Sequence, residues 1–243
     1  MVACAVFALG CSDAADAWDG EDGAVVGISV DAIGDRSART CSGALVGEQL
    51  VITARHCVAE VGHFEGCAET TFGASLPTTA IRVTPATDMR ASDAPWFSVR
   101  EVLQPPGAAL ACGADLALLV LDQAAGPDVA PLPVRLDPHA QVDEGYTAIG
   151  FGRDEDGVSG TRRRHEGLAV RCVGPLCASV DVASNEWRGQ GAGKGDSGAP
   201  AIDGEGKVLG IASRGAADGS DAVYGSLAHW ADWLVEAGVD PVY

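Results

Sequence analysis

In Gly193-Lys-Gly-Asp-Ser-Gly-Ala-Pro200, Ser197 sits between small residues, directly after an acid, Asp196. Such a pattern suits a nucleophile on a tight turn, because glycines let backbone N–H groups turn inward around the hydroxyl. The N–H groups of Gly195 and Ser197 could hold the oxyanion of an acyl-transfer intermediate. A serine hydroxyl is a poor nucleophile by itself, so this chemistry needs a base and an acid to orient the base. The chain offers both. His56 follows the apolar run Leu50–Ile52 in Thr53-Ala-Arg-His-Cys57, and Asp115 opens the apolar run Asp115-Leu-Ala-Leu-Leu-Val-Leu121.

These three segments, in the order His, Asp, Ser, resemble the motifs of the chymotrypsin/trypsin family of serine peptidases. The resemblance runs from about Val25 to Leu234. It implies an all-β fold of two six-stranded antiparallel Greek-key barrels with a C-terminal helix. It also implies a triad of Ser197 as nucleophile, His56 as general base and Asp115 as the acid that fixes the imidazole. Gly195 and Ser197 would supply the oxyanion hole, with Asp196 and Ser213 as supporting residues, Ser213 adjacent to the Asp115 side chain. Gly191, Lys194, Ser213, Arg214 and Gly215 would line the substrate pocket. Gly191 occupies the position that holds an acid in members cutting after Lys or Arg, so a neutral pocket is expected, although Asp218 or Asp221 could supply a carboxylate from another wall. The family pairs the positions of Cys41 and Cys57. That loop closure would stabilise by about 3 kcal/mol. For the other cysteines, Cys67–Cys112 and Cys172–Cys177 keep each bridge within one barrel, out of the 15 connectivities that six cysteines allow.

At 243 residues and 47% apolar, the chain can bury a sizeable core. Its 32 glycines, 12 prolines and short apolar runs favour an all-β fold. Sixteen basic and 34 acidic residues leave a net charge of −18, which argues against nucleic acid or anionic membrane surfaces as partners. The expected partner is a protein or peptide substrate, with the chain itself a monomer. Eight cysteines suggest an oxidising compartment. No Cys/His cluster has zinc spacing. His63 and Cys67 form only a lone pair, so neither metal nor organic cofactor is expected. No stretch approaches the ~20 apolar residues of a membrane span.

Residues 1–11 form a short apolar run ending in Gly10-Cys11. It resembles the end of a bacterial lipoprotein signal, with Cys11 as a lipid anchor, or else an ordinary secretory remnant. An acidic loop is expected over 12–24 and a first barrel, with His and Asp, over 25–122. A linker and entry to the second barrel follow over 123–145. The second barrel, with the serine, is expected over 146–227, and a helix over 228–238. Val25–Val30, Trp96–Leu103 and Tyr146–Gly152 read as strands, and Ala201–Ser213 as a hairpin. Trp230, Trp233 and Leu234 share one face of the helix, which Gly238 stops.

Three other readings touch the same residues. Gly189–Gly195 lacks the first glycine and the Ser or Thr of a phosphate loop. Gly195-Asp-Ser-Gly-Ala199 nearly matches the nucleophile elbow of α/β-hydrolases, but Pro200 and Gly204-Glu-Gly206 predict a hairpin where that fold needs a helix. The third is a protease-like domain that binds without cleaving. Ala199 stands where the family usually has glycine, and no Lys or Arg precedes Arg36 to mark an activating cleavage. In the family, the amino group freed by that cleavage pairs with the acid before the serine, here Asp196.

Overall fold

A computed structural model describes residues 22–34, 37–62, 66–107, 110–126, 129–178 and 181–242. Cys4, Cys11 and His63 lie outside the described residues. The chain forms β1 (Val25–Val30), β2 (Arg39–Gly47), β3 (Leu50–Thr53), a one-turn helix α1 (Arg55–Val58), β4 (Ala59–Val61) and β5 (Phe72–Ser75). Then come β6 (Ile81–Thr84), β7 (Phe97–Leu103), β8 (Ala117–Leu121), β9 (Val134–Arg135), β10 (Gly145–Gly150), β11 (Arg163–Ala169) and β12 (Cys172–Val173). The chain ends with β13 (Glu186–Gly189), β14 (Pro200–Asp203), β15 (Val208–Gly215), β16 (Ala222–Ser226), α2 (Ala231–Glu236) and β17 (Pro241–Val242).

The first half closes into a six-stranded barrel in the order β1-β2-β3-β8-β7-β6. The second half is a curled half-barrel, in keeping with the expected all-β fold. It is an open path, β11-β10-β14-β15-β16-β13-β12, with β9 and β17 added beside β15. Its two edge strands, β11 and β12, are consecutive in the chain and separated only by Val170 and Arg171. At that interruption the N–H of Val170 donates to Glu144 and the N–H of Arg171 to Arg188, on opposite edges of the path. The bend divides one strand between the two edges, so the sheet curls without a closing ladder. The strand after the serine is β14, a hairpin partner of β15, and this all-β order rules out the α/β-hydrolase elbow.

The unbroken apolar run of β8 has a simple cause. Ala117, Leu119 and Leu121 fill the first barrel, while Leu118 packs outward against Val134, Val208, Ile211, Leu227 and Leu234 of the second half. Side chains alternate along a strand, so a run apolar at every position needs a buried surface on both faces. Leu118 and Leu119 are both fully buried. Each contributes roughly 1.5–3 kcal/mol relative to exposure. Polar contacts tie the halves together as well. Arg162 lies buried between them, and its guanidinium donates to the carbonyls of Val25 (3.1 Å) and Pro85 (3.0 Å) and to Thr87 Oγ1 (3.1 Å).

Arg162→Ala should therefore lower unfolding stability by about 2–4 kcal/mol, because it strands buried carbonyls. Urea titration followed by tryptophan fluorescence would measure it. A loss below about 0.5 kcal/mol would mean that water replaces the guanidinium at no cost.

Candidate active site

His56 sits on the single turn α1, directly after β3, and the Cys41–Cys57 disulfide ties that turn to β2. Asp115 lies just before β8, three residues after Cys112, which is bridged to Cys67. The third bridge is Cys172–Cys177. Ser213 lies in β15 at an irregularity, where the register to β16 shifts between Ala212 and Arg214. Such a bulge re-aims a side chain.

These elements converge on the buried Asp115 carboxylate. His56 Nδ1 lies 2.7 Å from Oδ2, the His56 backbone N–H donates to Oδ1 at 2.8 Å, and Ser213 Oγ donates to Oδ2 at 2.6 Å. Burial pushes the Asp115 carboxyl up, but the charge of His56 and the three hydrogen bonds outweigh it and hold the group below the ordinary carboxylate value. Arg55, missed at the sequence level, adds a positive neighbour to Asp115 and lies over the Phe72 ring, 4.7 Å from its centroid.

Ser197 comes to the same place by its backbone. Its carbonyl accepts the N–H of Ser42 at 2.7 Å and lies 3.7 Å from Cys57 Sγ. No hydrogen bond joins Ser197 Oγ to His56 among the described residues. Such contacts are often long without substrate and tighten in the reacting complex. Gly198 has φ +85°, and a Cβ there would strike the Ser42 carbonyl and Thr53 Oγ1, so only glycine fits behind the serine.

The turn before Ser197 is pinned at each peptide. Lys194 C=O accepts from Arg153 N–H (2.9 Å), Gly195 C=O from Ser42 Oγ (3.2 Å) and Asp196 C=O from Ala199 N–H (2.8 Å). In a trans peptide the N–H points opposite its C=O. The first and third of these bonds therefore orient the N–H groups of Gly195 and Ser197, neither of which has a partner among the described residues. The Asp196 side chain accepts the N–H of Gly152 (2.7 Å) and of Gly193 (3.0 Å). Burial raises its carboxyl above the ordinary value, against those two N–H groups and the nearby His165 and Arg163. No ion pair reaches Asp196 among the described residues.

Behind Ser197 is a pocket of about 290 Å³ lined by Ala192, Gly193, Lys194, Ala212, Ser213, Arg214, Gly215, Ala216 and Ala217. Four of the five residues expected there are present. The fifth, Gly191, faces elsewhere. At φ +83° it lies against Leu168, Ala148 and His165 and lines a neighbouring cavity of about 1000 Å³ that also holds Asp196. Asp218 belongs to that second cavity too, and Asp221 pairs with Arg188 at 3.2 Å. Neither carboxylate lines the pocket behind Ser197. The Arg214 guanidinium is held by the buried Glu186, with Nη1–Oε1 at 2.8 Å and Nη2–Oε2 at 2.6 Å. Glu186 carries no local motif that would have marked it. Cys41, His56 and Cys57 lie close enough to suggest metal ligands, but both sulfurs are taken up by the disulfide.

The family model described as Trypsin matches residues 21–234. No curated protein matches the chain.

A test follows from the depressed Asp115 carboxyl. A group whose folded-state pKa is lowered adds stability above its unfolded value, near 4, and loses it as pH falls through the lower, folded value. Wild type should be more stable than Asp115→Asn from pH 7 to 5, and the gap should narrow below about pH 4. Thermal unfolding across pH measures this. A gap that widens towards acid would refute the assignment of the shift.

Proposed function

The chain belongs to the trypsin family, and we propose that it is a serine endopeptidase acting through Ser197, His56 and Asp115. The observation that carries the proposal is the His56–Asp115–Ser213 hydrogen-bonded cluster beside a turn with two N–H groups that have no partner among the described residues. In this mechanism His56 Nε2 takes the Ser197 proton as Oγ attacks the scissile carbonyl. Asp115 holds Nδ1–H and stabilises the imidazolium. The N–H groups of Gly195 and Ser197 receive the oxyanion. As the intermediate collapses, His56 passes the proton to the leaving amine. Water then hydrolyses the acyl-enzyme by the same steps.

The pocket favours an uncharged, apolar side chain before the cut, since its walls are mostly alanine and glycine and no carboxylate lines it. Three disulfides suit an oxidising location outside the cytoplasm. No helix among the described residues is long and apolar enough to cross a membrane. A domain that binds without cleaving is the second reading. The observation in its favour is that no cation pairs with Asp196 among the described residues.

A fluorophosphonate should label wild type and neither Ser197→Ala nor His56→Ala. Asp115→Asn should lower kcat by about 10³–10⁴-fold. Folded, disulfide-bonded protein that resists labelling would favour the binding-only domain. In a peptide library, cleavage should follow uncharged apolar residues and avoid Lys and Arg. Dominant cleavage after Arg would overturn the pocket assignment.

A further inference from the structure

Ser42 lies on β2, in the first barrel, and is fully buried. Its backbone N–H donates to Ser197 C=O at 2.7 Å, and its own C=O accepts Thr53 Oγ1–H at 2.7 Å. Its hydroxyl does two further things. It donates to Gly195 C=O at 3.2 Å and accepts the N–H of Phe151 at 2.9 Å. Phe151 is the first of three consecutive residues whose N–H groups grip the nucleophile turn. Phe151 acts through the Ser42 hydroxyl, Gly152 through the Asp196 carboxylate and Arg153 directly on Lys194 C=O.

We propose that Ser42 is a positioning residue for the oxyanion turn, with its hydroxyl fixing the Gly195–Asp196 peptide from the opposite barrel. The inference rests on the reading of Gly195 and Ser197 as oxyanion donors. The Gly195–Asp196 peptide lies between the two that carry those donors, and Gly195, at φ +99°, is in a backbone region that glycine adopts freely. The bonds to Lys194 and Asp196 hold the outer peptides, and the Ser42 hydroxyl is the one side-chain contact on the middle carbonyl among the described residues. Without it the middle peptide keeps only the bond from Asp196 N–H to Gly193 C=O (3.1 Å), its carbonyl is left unheld, and the two N–H groups converge on one point for less of the time. Substrate binding does not need that convergence, whereas stabilising the developing oxyanion does. The effect therefore falls on kcat rather than KM.

The test compares Ser42→Ala and Ser42→Gly with wild type, since glycine removes the hydroxyl while adding no bulk. Both should lower kcat on a peptide substrate at least tenfold at a temperature well below unfolding, with KM within about twofold. Amide hydrogen exchange, which needs no catalysis, should rise at least tenfold over 193–197 and stay unchanged over 117–121. Unchanged exchange over 193–197 would overturn the proposal whatever the activity. A lowered Tm with kcat intact would assign Ser42 a purely structural role and would also overturn it. Faster exchange in the variants of a wild type that cleaves nothing would support the positioning and sink the endopeptidase reading instead.

Discussion

A carboxylate taken out of water must be given donors or lose its charge, and Asp115 is buried between the two halves of the molecule. Its three donors come from two places. Two belong to His56, fixed after β3 by the Cys41–Cys57 bridge, and the third is Ser213 of β15 in the second half. The full set of three donors is assembled only when the barrel and the curled sheet are packed together. That packing is supplied by the outward faces of β3 and β8, whose Ile52 and Leu118 meet Val208, Ile211 and Leu234. The electrostatics of the site are thus a consequence of the hydrophobic interface.

Asp196 is the counterpart with the opposite outcome. It too is buried, but its partners are two backbone N–H groups, and burial prevails. Such an acid is held by geometry more than by charge. The same N–H groups that solvate it belong to the run 151–153 and to Gly193, so the group that is costly to bury also organises the turn around Ser197. Local frustration of this kind is expected where a chain must hold donors ready for a charge that develops only during reaction.

The chain's large negative charge is distributed unevenly. Several of its few arginines are committed to internal pairs. Arg135 binds Glu144 and Asp203, and Arg214 binds Glu186. Arg162 is likewise internal, bonded to backbone carbonyls. Among the described residues, three buried arginines (Arg55, Arg135, Arg162) stand against three buried acids (Asp115, Glu186, Asp196), so the excess of acid lies on the less buried surface. A single Lys194 remains at the pocket behind Ser197, beside an Arg214 already neutralised by its partner.

The sequence by itself determined what is local. Alternating and continuous apolar runs specified strands, Pro200 and Gly204-Glu-Gly206 specified a hairpin after the serine, and the order of three short motifs specified the family. Tertiary structure decided whatever depends on partners far apart in the chain. Ser42 and Gly195 are separated by 153 positions, and neither carries a local mark of the other. The same holds for Glu186, which meets Arg214 and the N–H of Gly113. Gly191, Asp218 and Asp221 were placed near the right loops, but the cavity each one faces follows from a backbone angle or a distant arginine. Closure of the second half was decided at Val170–Arg171, where two edges compete for one strand. Periodicity reports which face of a strand is buried. It carries no information on which distant surface buries that face, because that choice is made only when the whole chain packs.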